Sequence, residues 1–83
     1  MTKSTKIISL RGTVAQNVLK YRTALNVSQE ELAVKAGFHR TYISQIEREL
    51  ANLTLDNIEK LSNALGVEAK LLFVRPRVIT VNS

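Results

Sequence analysis

From Ser28 to Arg48 the chain reads SQEELAVKAGFHRTYISQIER, two short helical patterns separated by one glycine, and that spacing leaves little freedom in the local fold. Ser28 with Glu31 three positions on forms a capping box, which starts a helix running to about Ala36. Leu32, Ala33 and Ala36 fall on one face of it. Gly37 stands where the chain must turn, since glycine tolerates the positive φ that such a turn requires. A second helix begins near His39, with Ile43 and Ile46 pointing inward and Leu50 one turn further on. Arg40, Thr41, Ser44, Gln45 and Arg48 occupy the opposite face, where every side chain can hydrogen-bond.

That arrangement is the pattern of a helix-turn-helix, and its outer face has the chemistry of a major-groove reader. Arginine grips guanine O6 and N7 with two bonds, glutamine pairs similarly with adenine, and threonine offers a hydroxyl and a methyl. The first turn of a recognition helix lies deepest in the groove, so Arg40 and Thr41 head the candidate base contacts, followed by Ser44 and Gln45. Ser28, Gln29, His39, Tyr42 and Arg48 are the candidate contacts to the DNA backbone. For Tyr42, which lies beside the inward residues, a place in the core or at its rim competes with the backbone role. A solvated helix face would explain such a polar stripe on its own, but not its coincidence with the capping box and the glycine turn.

Over residues 10 to 73 the chain resembles the Cro-like and lambda-repressor-like regulators of bacteria and phages. HRTYISQIER together with SQEELA is most similar to the controller proteins of restriction-modification systems. The resemblance implies phosphate contacts from Gln29 and His39 at the two helix starts. It also implies an ion pair between an arginine of the first helix and the glutamate ending the recognition helix, here Arg22 and Glu47. The family pattern has a glycine after the recognition helix, then a basic residue and often Asn-Pro; this chain has Glu49, Leu50, Ala51, Asn52 and Leu53. Glutamate there either extends the helix or strains the backbone, and Ala51 removes the basic residue that would meet a phosphate.

Eighty-three residues make one small domain, for which a partner subunit is a ready source of added stability. A net charge of +5 favours polyanionic partners but does not choose among DNA, RNA and a membrane surface. There is no cysteine and one histidine, His39, so neither a disulfide framework nor a thiolate or histidine-rich metal site is expected, and no cofactor. No paired carboxylates, phosphate-binding glycine loop or nucleophile constellation stands out, and the chain is not expected to be an enzyme. With no long apolar run and no export signal, a cytoplasmic, nucleoid-associated protein is expected, without membrane contact.

Outside the motif, residues 1 to 9 read as a basic N-terminal arm in which Lys6 to Ser9 has the option of a short strand. A first helix is expected from Arg11 to Leu25 with Val14, Val18, Tyr21 and Leu25 inward, and Gly12 weakening its first turn. Thr54 caps a fourth helix that places Leu55, Ile58, Leu61 and Leu65 on one face and stops at Gly66. Val67 to Phe73 reads as a fifth helix, and Leu71, Leu72 and Phe73 form its candidate dimer interface. Residues 74 to 83 are a tail, disordered or paired as a strand through Val78 to Val81.

The expected architecture is all-α: five helices, lambda-repressor-like, with the helix-turn-helix in helices two and three. The expected function is sequence-specific regulation of transcription by a homodimer on a palindromic double-stranded DNA operator. The resemblance adds control of a restriction endonuclease gene and of the protein's own gene, with RNA polymerase as a candidate partner. A phage or prophage repressor and an antitoxin-like protein that also binds a toxin are the alternatives, separable by the neighbouring genes.

Overall fold

The computed structural model describes residues 8–76. The expected basic arm up to residue 7, and the tail from residue 77 with its possible strand, lie outside the described residues. Four α-helices and one short 3-10 helix follow in order: α1 (Leu10–Ala24), α2 (Gln29–Ala36), α3 (Arg40–Glu47), α4 (Leu55–Leu65) and the 3-10 turn Ala69–Phe73. Helix α3 packs on α2 and α1, α4 packs on α2, and the 3-10 turn closes the core against α1 and α4.

Each α-helix starts on a side chain that accepts a backbone N–H: Ser9, Ser28, His39 and Thr54. At α2 the box is reciprocal, since Ser28 Oγ accepts from the Glu31 N–H at 3.0 Å and Glu31 Oε1 accepts from the Ser28 N–H at 2.9 Å. These bonds from Ser28 hold the Glu31 carboxyl below its usual range. The cap's support of α2 is therefore complete above the ordinary carboxylate pKa and is lost as the pH falls through the lowered value. Acidification should lower the amide protection factors at the start of α2, taken relative to the intrinsic exchange rate at each pH, in the native protein and leave those of a Glu31→Gln variant unchanged.

All four helices end alike. One residue at each end takes the left-handed conformation, the cap itself in α2 and α4 and the residue after it in α1 and α3, and its N–H and the next one return to last-turn carbonyls. The left-handed residues are Asn26, Gly37, Glu49 and Gly66. At α3 the bonds run from Glu49 N–H to the Ile46 carbonyl and from Leu50 N–H to the Gln45 carbonyl. Glycine and asparagine suit this conformation, whereas glutamate at φ +63° is held at a cost of about 1 kcal/mol or more.

The core consists of Val14, Val18, Leu32, Ala33, Ile43, Ile46, Ala51, Ile58, Leu61, Leu65 and Leu72. Five expectations are corrected by it. Leu50 is 60% exposed, because the chain reverses at Glu49 and Ala51 takes the inward place. Leu25 is the C-cap of α1 and points outward, while Leu55, the first residue of α4, is 82% exposed. The fifth helix is a five-residue 3-10 turn: it begins without a side-chain cap and runs into extended Val74, with Pro76 barring continuation. Leu72, expected at a subunit interface, is wholly buried in its own chain. Asn17 accounts for that placement, since its buried amide donates to the Leu72 and Val74 carbonyls at 2.9 and 2.8 Å and ties the segment to α1.

Candidate nucleic-acid interface

The position of α3 is set by a network that the sequence distributes over three helices. Arg22 of α1 donates to both oxygens of Glu47, from Nε at 2.7 Å and from an Nη at 3.0 Å. Its other Nη donates to the Val27 carbonyl at 3.0 Å in the loop that leads to α2. Gln29, the first residue of α2, donates its side-chain amide to the same Glu47 at 3.0 Å. The pair is largely shielded, with side-chain exposures of 15% and 8%. The hydrogen bond to Glu47 raises the pKa of Arg22 further, against the opposing effect of burial, and so the guanidinium stays charged. One carboxylate thus orients the end of α3 and the start of α2 together.

At the start of α3, Nδ1 of His39 accepts from the Thr41 N–H at 3.1 Å. That bond assigns the proton of a neutral imidazole to Nε2, which remains free to donate outward. Tyr42 is fixed from the other side. Its hydroxyl donates to the Asn52 carbonyl at 2.9 Å and accepts from the Asn57 amide at 2.9 Å, and its ring meets Phe38 edge-on at 4.9 Å. Tyr42 is therefore a rim residue joining α3 to the start of α4, with its hydroxyl engaged within the fold.

The remaining candidates are presented outward. Arg40, Thr41, Gln45 and Arg48 are exposed and Ser44 is half-buried along the same side of α3, while Ile43 and Ile46 are sealed beneath them. Arg22, Ser28, Gln29, Glu30 and Arg40 line one shallow open depression, so the starts of α2 and α3 converge on it. Gln29 enters it with one amide hydrogen committed to Glu47 and with its backbone N–H at the first position of α2, where no intrahelical acceptor exists. The arrangement offers two helix starts and an open polar depression to phosphates, and to base edges a polar ridge whose side chains have no partner among the described residues.

Three contributors lacked a signal in the sequence. Asn52 and Asn57 position Tyr42 across separations of 10 and 15 residues, and Arg11 donates to the Asn52 side chain from α1. Polar side chains on helix starts and loops look alike whether or not they meet a distant partner. Among the described residues no group of three histidines, cysteines, aspartates or glutamates is placed to hold a metal ion, and no helix is long and apolar enough to cross a membrane.

A helix-turn-helix family model matches residues 18–72. The control protein C.BamHI of Bacillus amyloliquefaciens is 62% identical over 45 residues, covering 54% of this chain and 56% of that protein. A hypothetical transcription factor of Neisseria meningitidis is 46% identical over 68 residues, 82% of this chain and 64% of the relative. The chain therefore spans less than two thirds of the length of either curated relative. The Neisseria crystal structure superposes with a TM-score of 0.80 over 82% of this chain and 78% of that one. The controller C.Esp1396I, in a structure bound to a 19 base pair DNA duplex, superposes with a TM-score of 0.71 at 38% identity, covering 77% of this chain and 85% of that one. The chain belongs to the Cro-like helix-turn-helix family, a family of DNA-binding regulators and not of enzymes, and is closely related to the restriction-modification controller proteins.

Proposed function

We propose that this protein is a restriction-modification controller, a homodimer that binds a two-fold symmetric double-stranded DNA operator and thereby sets transcription of an endonuclease gene and of its own. The observation that carries the reading is the uncommitted polar ridge of α3, held by the Arg22–Glu47–Gln29 network in a fold shared with a controller solved on duplex DNA. Arg40, Thr41, Ser44 and Gln45 read bases; Ser28, Gln29, His39 and Arg48 bind phosphates. Phosphate contacts supply salt-dependent affinity for any duplex, and the ridge supplies the preference for one sequence. A regulator seated on promoter DNA meets RNA polymerase there, which makes the polymerase the second partner of this reading.

The two subunits are proposed to join through an apolar surface. Leu10, Leu53, Leu55 and Phe73 surround a groove of about 310 Å³ floored by Val14 and Ile58. Leu10 and Leu55 are more than half exposed and Phe73 is 37% exposed, an apolar patch that a second copy would cover. Of the three residues expected at the interface, Phe73 belongs to this patch and half-buried Leu71 lies on the far side of the 3-10 turn, beside Asn17 and Tyr21.

A gel-shift comparison of operator and random duplexes tests the base-reading role, with the operator located by footprinting upstream DNA. Arg40→Ala should cost about 1–3 kcal/mol per half-site on the operator and leave random DNA nearly unaffected. Equal losses on both duplexes would make Arg40 a phosphate ligand.

A further inference from the structure

Of the four residues in left-handed conformation at the helix ends, two are glycines and one is asparagine; the fourth is Glu49, behind the helix that carries the candidate base contacts. Glu49 is an exposed residue, yet its side chain reaches back to α1. A Cβ at position 12 would lie 3.0 Å from Glu49 Oε1, so the carboxylate rests against Gly12 in the first turn of α1. The same absent Cβ leaves room for Ile8, whose Cγ2 would stand 2.6 Å away. The first turn of α1 contains no acidic residue of its own, although a negative charge is favoured there.

We infer that Glu49 is a positioning residue for DNA recognition: its carboxylate latches the end of α3 to the first turn of α1 through the notch that Gly12 leaves open. The left-handed backbone at Glu49 and the missing side chain at Gly12 are two halves of one contact. Glycine at position 49 would relieve the backbone but could not reach α1, and a larger residue at position 12 would close the notch. The latch acts on the last turn of α3, because Glu49 and Leu50 donate to the Ile46 and Gln45 carbonyls. Gln45 and Arg48 are therefore the contacts it orients, whereas Arg40 and Thr41 are held by His39 and the rest of the fold. Asn52, two residues beyond Leu50, is held to α1 by Arg11 and to α3 by Tyr42, so the loop is tied on both sides of the latch.

The effect on recognition rests on the DNA-binding reading above, whereas the latch itself does not, and the experiment separates them. Glu49→Gln keeps the strained backbone without the charge; Glu49→Gly removes both. Glycine is the residue most at ease at this φ, so the second variant folds and should melt above the first. Amide exchange in the first turn of α1 should rise in both. The operator-to-random affinity ratio, measured where all three proteins are folded, should fall roughly two- to fivefold in both, the range expected of one charge at a helix start. The loss should concentrate at base pairs read by the Gln45 end of α3. Unchanged exchange in Glu49→Gln would overturn the latch, and an unchanged ratio in both variants would overturn the positioning role. If the native protein itself did not discriminate operator from random DNA, the DNA-binding reading would fall while the exchange result still judged the latch.

Discussion

Glu47→Gln should lower the stability of the domain by about 2–3 kcal/mol and its melting temperature by roughly 10–20 °C. The native carboxylate accepts three hydrogen bonds, two from Arg22 and one from Gln29, with the pair mostly shielded from water. A glutamine side chain has one oxygen for these three donors and turns its own N–H₂ toward the other. The guanidinium then keeps its charge in a shielded site without a counter-charge, a loss that exceeds the value of an exposed ion pair. For a domain of this size the expected loss is a large part of the total stability. Because the glutamine N–H₂ then faces Arg22 Nε and pushes the end of α3 away from α1, DNA affinity should fall at temperatures where the variant is still folded. Thermal unfolding that matches the native protein would place Arg22 and Glu47 in solvent and remove the network from the account of how α3 is held.

The elements legible in the sequence were those with local causes. Ser28 with Glu31, Thr54, Gly37 and Gly66 each satisfy or redirect the backbone within a few residues, and the helices start and stop where those residues stand. The polar ridge of α3 was equally visible, because Ile43 and Ile46 fix which side is buried. Leu50 and Leu55 were placed on the wrong side because periodicity extends a face through a point where the backbone changes direction, and Leu72 because three successive apolar residues look like more surface than one small core absorbs. Glu49 reverses the chain before Leu50. Leu55 sits at the very start of α4, beyond the reach of the core, and Asn17 draws Leu72 inward from 55 residues away. Arg22 and Glu47 were paired through family resemblance supported by register, whereas Asn52 and Asn57 had neither. The latch at Glu49 was half visible as an odd residue for a helix end, but Gly12, its other half, carried only the sign of a weakened helix.

Replacing Leu55 and Phe73 together by serine should yield a folded monomer in sedimentation and reduce operator affinity by at least about 100-fold, the scale on which a second linked site contributes. Neither side chain belongs to the buried core, and in the single chain they are 82% and 37% exposed. Leu72 is unsuitable for the same test, since a polar residue there would disturb the protomer itself. Leu10 borders the same groove and would add to the effect. Two-fold pairing sets two recognition helices roughly 34 Å apart, one turn of DNA, so that both half-sites are read on one face of the duplex. A monomer retains the Arg40 end of α3 and its phosphate contacts, and should therefore bind a single half-site about as weakly as the native dimer does. Loss of the dimer and loss of tight operator binding should thus appear together, with half-site affinity unchanged. A variant that still sediments as a dimer would overturn this interface and shift the pairing to the chain after Phe73. A monomer that still bound the full operator tightly would show instead that each subunit reads its half-site independently.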